Sequence, residues 1–205
     1  MNTVAKISFG KINKLAIPAI ISGIAEPLLS ITDTAIVGNI DVNATEALAA
    51  VGIAGSFISA IVWILAQTRS AISAIIAQYF GAGKIDKIVY LPAQIIALNM
   101  ALSAFIYIVT IFFIEHIFKL YNASGLILED AVSYYKIRAL GLPLTLFIFS
   151  VFGIFRGLQN TFWPMVISLL GTGLNIVLDF ILVFGIEGYV PAMNIEGAAW
   201  ASVMA

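Results

Sequence analysis

The sequence contains no cysteine, one histidine and few charged residues, with a formal net charge of −1. The lack of cysteine excludes disulfides, thiolate metal sites and cysteine nucleophiles. The lack of excess positive charge argues against nucleic acid as a partner. No Ser-His-Asp set, HExxH motif or glycine-rich dinucleotide loop occurs. The composition therefore gives no support to the common hydrolase, metalloprotease and nucleotide-dependent enzyme classes.

What the sequence has in abundance is apolar side chains. Hydrophobic residues make up 61% of the 205 residues, charged residues only 10%, and the mean hydropathy is +1.06. Soluble domains have about 45–50% apolar and about 25% charged residues. So few charges cannot cover the outside of a soluble fold. The chain is predicted to lie in a lipid bilayer.

Runs of apolar residues predict an all-α, polytopic membrane protein, because a bilayer core requires roughly 20 apolar residues per helix. The expected spans lie near 15–38, 47–79, 89–115, 138–157 and 163–185. A sixth begins near 195 and reaches only Ala205, which is too short to cross. We therefore expect residues 1–205 to form an N-terminal bundle of about six transmembrane helices with the sixth truncated.

Lysine and arginine placement predicts the orientation of these spans. Basic residues of the N-terminus and of the second and fourth connecting segments are Lys6, Lys11, Lys14, Lys84, Lys87 and Arg156. The other side has acids such as Asp41 and Glu187, with Lys119, and with Lys136 and Arg138 just before the fourth span. Positive residues favour the cytoplasmic side. We expect a cytoplasmic N-terminus.

Prolines interrupt two of the expected spans. Pro18 and Pro27 lie in the first span and Pro143 in the fourth. Membrane helices tolerate proline where neighbours or water satisfy the freed carbonyl groups. Two interpretations remain open: ordinary kinking, or a helix that bends between transport states.

Acidic residues occur inside the first span, at Glu26 and Asp33. An ionised carboxylate at a helix centre costs about 2.5–3.5 kcal/mol on insertion scales. Such groups face partners inside a bundle or a wet cavity. Arg69 in the second expected span is a candidate ion-pair partner for Glu26.

The polar residues of two spans fall on helical stripes, at steps of three and four. The first stripe is Ser22, Glu26, Ser30 and Asp33; the second is Ser168, Thr172, Asn175 and Asp179. Both stripes are expected to line one common cavity. Carboxylate, amide and hydroxyl oxygens without His or Cys suit a proton or a hard cation such as Na⁺. Asp33 and Asp179 are the candidates for this role, unless they are structural carboxylates satisfied by hydroxyl groups and water.

A set of short motifs resembles the multidrug and toxic compound extrusion (MATE) transporter family. They are "P-x14-D-T" (Pro18 to Asp33-Thr34), "LAAVGIAG", "AQYFGAGK", "RGLQNTFWP", "N-x3-D" (Asn175, Asp179) and "GAAWAS". Arg69, nine residues before Gln78, is similar to the DNA-damage-inducible F branch of that family. The motifs keep their order and cover nearly the whole chain.

The resemblance implies two six-helix bundles around a central cavity, of which this chain supplies only the first. It implies antiport of H⁺ or Na⁺ against amphipathic or cationic compounds, in a bacterial plasma membrane and without a cofactor. Asp33, Asn175 and Asp179 match the family's cation-binding cluster, with Ser202 where threonine is usual. Pro18 matches the proline at which the first helix bends in some members.

Two departures from the family pattern bear on the coupling ion and the cargo. Leu29 stands where some relatives have tyrosine, and Glu26 is an additional acid. Glu26, Ser30, Arg69 and Thr172 are candidate cavity-lining residues. Alternatives to the antiporter are a lipid-linked oligosaccharide flippase, for which the cavity has few basic residues, a membrane-embedded enzyme such as an intramembrane protease, and a half-bundle that homodimerises or does not transport.

Overall fold

A computed structural model describes residues 8–40 and 43–205. Lys6 and Asp41, used above for the orientation, lie outside the described residues. So does the side chain of Glu26, and with it the expected Glu26–Arg69 pair.

The described residues form seven α-helices. They are α1 (Phe9–Val37), α2 (Ala44–Gly81), α3 (Ile85–Leu120), α4 (Gly125–Leu140), α5 (Leu142–Gly157), α6 (Phe162–Phe184) and α7 (Asn194–Met204). α1 continues as one helix through Pro18 and Pro27. Between α6 and α7, a tight turn holds an isolated antiparallel bridge between Ile186 and Val190. The expected all-α fold class is confirmed.

Four helices are long and apolar enough to cross a membrane, namely α1, α2, α3 and α6. α4 and α5 together form a fifth such segment, bent by 42° where they meet. The expected fourth span, 138–157, covers only α5 and the end of α4. Hydropathy missed most of α4 because charged residues interrupt its sequence, whereas a helix packed against other helices tolerates them.

The bend between α4 and α5 has a local cause. Pro143 lies in the first turn of α5. Because proline has no amide hydrogen, it cannot donate to the carbonyl group four residues earlier, in the last turn of α4. Gly141 at the junction packs directly on α7, where a Cβ atom would lie 3.4 Å from the Cγ2 atom of Val203. The bend thus fixes the end of α4 next to the end of α7.

The core between α2, α3 and α4 is aromatic and aliphatic. The rings of Phe57, Phe118 and Tyr135 contact one another, with centroid separations of 5.6–6.0 Å. Phe118 and Tyr135 are fully buried. Edge-to-face aromatic contacts of this kind add about 0.5–1.5 kcal/mol per pair beyond area burial.

Small residues bring two pairs of helices into close contact. On α5, a Cβ atom at Gly153 or Gly157 would lie only 2.9 or 2.6 Å from the Cβ atoms of Ile72 and Ile76 on α2. On α7, a Cβ atom at Gly197 would lie 2.5 Å from the backbone carbonyl oxygen of Leu182 on α6. Glycine at these positions lets the backbones approach as in other membrane helix pairs. The second contact brings α7, and with it Ser202, against α6.

Candidate functional site

Helices α1 and α6 lie side by side in a fixed parallel register. The Thr161 hydroxyl group, just before α6, donates to the Leu15 carbonyl oxygen at 2.9 Å, across 146 residues. The Ser168 hydroxyl group donates to the Ser22 carbonyl oxygen at 3.5 Å, also across 146 residues. A constant separation along both helices requires that they run in the same direction. The two predicted polar stripes therefore pack against each other rather than line an open cavity between them.

Asp33 and Asp179 have the same separation in sequence, and the structure brings them together around Asn175. We assign the Asn175 amide with its nitrogen toward the acids, because the opposite orientation would face an oxygen toward two carboxylates. In this orientation the nitrogen lies 3.0 Å from Asp179 Oδ2 and 3.1 Å from Asp33 Oδ1. One amide group thus donates a hydrogen bond to each acid.

Ser202 completes the arrangement from α7. Its backbone nitrogen lies 3.1 Å from the Asn175 side-chain oxygen, and its hydroxyl group lies 3.4 Å from Asp33 Oδ2. Asp33, Asn175, Asp179 and Ser202, hereafter the acid cluster, therefore come from three helices. The sequence had predicted all four, Ser202 through the family resemblance alone.

Burial makes the acid cluster electrostatically unusual. Asp33 is 5% exposed, and Asn175 and Asp179 are 0% exposed. Asp33 has a donor on each carboxylate oxygen, whereas the Asp179 Oδ1 atom is buried without a hydrogen-bond partner. An unsatisfied buried polar atom of this kind costs about 1–3 kcal/mol, and more when charged. The vacant lone pairs of Asp179 Oδ1 can accept a proton or coordinate a cation.

The donor set suits a proton or a monovalent cation better than a transition metal. Within the described ranges, no group of three or more His, Cys, Asp or Glu side chains could hold a metal ion. The acid cluster offers two carboxylates together with amide and hydroxyl oxygens. Hard cations such as Na⁺ prefer oxygen ligands of this kind.

The other predicted residues lie elsewhere or contribute less. Ser30 is exposed, and its carbonyl oxygen accepts a hydrogen bond from Thr34 on α1. Thr172 is half-buried and donates to the Ser168 carbonyl oxygen, within α6. Pro18 lies on α1 beside a groove of about 750 Å³ near the start of the helix, well before Asp33.

Arg69 lies at the interface between α2 and α5 rather than at the acid cluster. Its guanidinium carbon is 5.0 Å from the centroid of the Phe149 ring. Its Nε atom is buried without a hydrogen-bond partner. Stacking on an aromatic ring is a common way to accommodate arginine in an apolar setting. The prediction that Arg69 lines the transport cavity stays a prediction.

Two residues near the acid cluster were missed by sequence reasoning. Tyr134 and Arg138 lie one turn apart on α4, close enough for electrostatic interaction with Asp33 and Asp179. Tyr134 is 2% exposed. Arg138 had been interpreted as a charge preceding the fourth span. A predicted helix beginning at Gly125 would have placed the segment "YYKIR" inside the bundle. Its arginine, Arg138, would then have been a candidate for interaction with buried acids.

The fold and the cluster define a class: a polytopic α-helical membrane protein with a buried, oxygen-rich acid cluster. A family model, MatE, matches residues 18–181. The chain is 31% identical over 191 residues to DNA damage-inducible protein F of Escherichia coli (strain K12), covering 93% of this chain and 40% of that protein. It is 31% identical over 189 residues to multidrug resistance protein MdtK of Edwardsiella ictaluri, covering 92% and 40% respectively.

A solved structure agrees with these relatives. A crystal structure of MATE in the bent conformation superposes with a TM-score of 0.85 at 28% identity, covering 95% of this chain and 42% of that one. The chain belongs to the MATE transporter family. It spans about 40% of the length of the curated relatives named above.

Proposed function

We propose that this chain is the N-terminal bundle of a cation-coupled antiporter that exports amphipathic or cationic compounds by alternating access. The observation that carries the proposal is the acid cluster. Two buried carboxylates converge on one amide nitrogen, and a carboxylate oxygen of Asp179 has no hydrogen-bond partner. A transporter needs a group that takes up and releases a cation reversibly, and this arrangement supplies one.

Electrostatics supports a cluster with two states. Two ionised carboxylates in an apolar site repel each other, so the pair is stable only with a proton or a cation between them. Uptake of a proton removes this repulsion and would draw α1, α6 and α7 together, whereas its loss leaves repulsion across the interface of α1 and α6. We propose that the bundle opens outward while Asp33 and its partners are ionised or Na⁺-bound. Protonation or ion exchange then bends α1 near Pro18 and expels the cargo.

The relatives support the cargo class and the partner. One matched relative is described as a multidrug resistance protein. Because the chain covers about 40% of that relative, a second bundle is the proposed partner, with cargo and membrane lipid as the other contacts. Exposed aliphatic side chains of α1, among them Ile20, Ile24 and Ile31, are available to such a bundle or to lipid.

We also propose a cytoplasmic N-terminus in a bacterial inner membrane. Lys14 on α1 and the segment 158–163 line the same groove, so the start of α1 and the connection between α5 and α6 lie on one side. The packing of Gly157 on Ile76 places the end of α2 on that side as well. Lys84 and Lys87 follow α2, and this clustering of basic residues favours the cytoplasm.

Replacing one acid of the cluster tests the proposal. In the protein expressed from its natural gene, Asp33→Asn should reduce efflux of a fluorescent amphipathic cation by at least about tenfold, because the amide cannot exchange a proton at physiological pH. The measurement is dye efflux from energised cells at several pH values and Na⁺ concentrations. Asp86→Asn, at an exposed carboxylate in the first turn of α3, is the matched control and should leave efflux unchanged. Unchanged efflux in Asp33→Asn, with the same pH and Na⁺ dependence, would contradict the proposal.

A further inference from the structure

Arg138 lies at the end of α4 that faces the acid cluster. It follows the buried Tyr134 by one helical turn, so both side chains lie on one face of α4. Gly141, three residues further on, packs against Val203, the neighbour of Ser202 in α7. The Arg138 Nε atom is buried and has no hydrogen-bond partner. The helix thus carries a cationic side chain to the contact between α4 and α7, next to the Ser202 end of the acid cluster.

The charges around the acid pair can be assigned helix by helix. Asp33 comes from α1 and Asp179 from α6, and Arg138 of α4 is close enough to act electrostatically on both. From α7, the acidic side chain is Glu196, whose Oε1 atom accepts a hydrogen bond from Ser133 at 2.6 Å, two turns of α4 away from the junction. Arg138 forms no ion pair within 4.0 Å with an acidic side chain in the part of the chain that the structure describes. Arg138 therefore acts on the acids through space rather than by direct pairing.

The net charge of the site depends on Arg138 as well as on the two acids. Arginine remains protonated at every physiological pH. Two ionised carboxylates and one guanidinium group leave the site with a net charge of about −1, whereas the carboxylates alone would carry about −2. Neutrality in a low-dielectric site then requires one monovalent cation rather than two.

We propose that Arg138 is the fixed counter-charge of the acid cluster and limits it to one H⁺ or Na⁺ per transport cycle. This inference rests on the proposed antiporter function. Arg138 is a positioning and stoichiometry-setting residue, because it does not touch the acids. The exported compound need not contact it.

Counting the cations that the cluster binds tests the proposal. The full chain in detergent is titrated in weak buffer from about pH 9 to about pH 5, and proton uptake is compared with that of the Asp33→Asn/Asp179→Asn double variant. The wild type should take up about one additional proton, and Arg138→Gln about two, because both acids then lose their counter-charge. Arg138→Lys, which keeps the charge, should return to about one. Binding of radioactive Na⁺ at fixed pH gives the same count for the other ion.

Two further variants make the count decisive. Lys136→Gln removes a charge from an exposed position of the same helix and should leave the count unchanged. Asp179→Asn keeps Arg138 and should take up almost no proton at the cluster, since the remaining Asp33 is balanced by Arg138. This variant decides the question if Arg138→Gln does not fold. Uptake of about one proton by Asp179→Asn, or by Arg138→Gln, would overturn the role of Arg138.

The outcomes separate this inference from the proposed function. If the wild type binds neither more protons nor more Na⁺ than the Asp33→Asn/Asp179→Asn variant, the cation-coupled function fails and the inference fails with it. If the wild type binds one cation and Arg138→Gln also binds one, only the inference fails.

Discussion

Two helix interfaces of this bundle are built from different chemistry. Between α1 and α6, hydroxyl, amide and carboxylate groups meet in a parallel register, from Thr161 at one end to Asp179 at the other. Between α2 and α5, Gly153 and Gly157 pack on isoleucine side chains, and the polar contribution is the stacking of Arg69 on Phe149. The second interface depends on close apolar packing and the first on polar groups.

If the chain acts as the proposed antiporter, this difference predicts which interface changes during the transport cycle. Close packing of glycine against isoleucine is insensitive to the charge of the surroundings, and its loss would leave voids that lipid cannot fill. Hydrogen bonds to buried carboxylates depend directly on protonation and on bound cations. Under the proposed antiporter function, we therefore expect the interface of α2 and α5 to serve as the scaffold and the interface of α1 and α6 as the responsive element.

The largest expected effect comes from removing the amide that joins the acids. Asn175→Ala should abolish cation-coupled efflux, since Asp33 and Asp179 lose their shared donor. It should also destabilise the fold by about 1.5–3 kcal/mol, the range for hydrogen bonds to charged groups. Thermal unfolding in detergent and dye efflux together measure both effects.

Asn99→Ala is the matched control for that change. Asn99 is 3% exposed and donates to the Ser150 hydroxyl group at 2.7 Å, between α3 and α5. Its replacement should cost about 1 kcal/mol of stability without loss of cation dependence. If both asparagine variants lost cation coupling equally, the distinction between the two kinds of interface would be wrong.

An intermediate effect is expected in the scaffold. Gly157→Ala places a Cβ atom 2.6 Å from Ile76 Cβ, so the backbones of α2 and α5 must separate. Overpacking of this size costs about 1–3 kcal/mol, measured as a lower unfolding temperature in detergent. Gly52→Ala, where no atom lies within 4 Å of the new Cβ, should be neutral or stabilising by up to about 1 kcal/mol. Equal unfolding temperatures for the two variants would show that close approach of α2 and α5 is unimportant.

The smallest effect is expected at the start of the interface between α1 and α6. Thr161→Val removes the hydrogen bond to the Leu15 carbonyl oxygen while keeping the side-chain volume. Interhelical hydrogen bonds in membranes average about 0.6 kcal/mol, so a small decrease in unfolding temperature should result. Thr32→Val, whose hydroxyl group bonds within α1, should show a smaller decrease. A larger loss in Thr32→Val would argue against the register of α1 and α6.

The sequence predicted the fold class and the acid cluster because both depend on strong local signals. Long apolar runs predict membrane helices, and the polar stripes of α1 and α6 carry Asp33, Asn175 and Asp179 on predictable faces. Ser202 required the family resemblance, since it lies in a short helix of small residues. Its position depends on the contact of Gly197 with α6, which no local pattern reveals.

Arg138 and the extent of α4 could not be predicted in the same way. A hydropathy window treats charged residues as membrane edges, whereas α4 packs against α2 and α7 and does not need an apolar sequence. The sequence also predicted a cavity between the polar stripes, whereas in the structure the two stripes are in contact. Periodicity gives the face of the helix on which a residue lies but not the distance to the opposing helix. Those distances depend on tertiary packing.

The parallel register of α1 and α6 also has an electrical consequence. Helices that run in the same direction with constant offset hold Asp33 and Asp179 at nearly equal depth in the bilayer. The transmembrane voltage contributes about 2.3 kcal/mol per 100 mV for each elementary charge that crosses the full membrane. A cation that moves from one carboxylate to the other crosses almost none of that field. Under the proposed cation coupling, voltage is therefore expected to act on the path by which a cation reaches the pair or leaves it, and transfer within the pair is expected to be electrically silent.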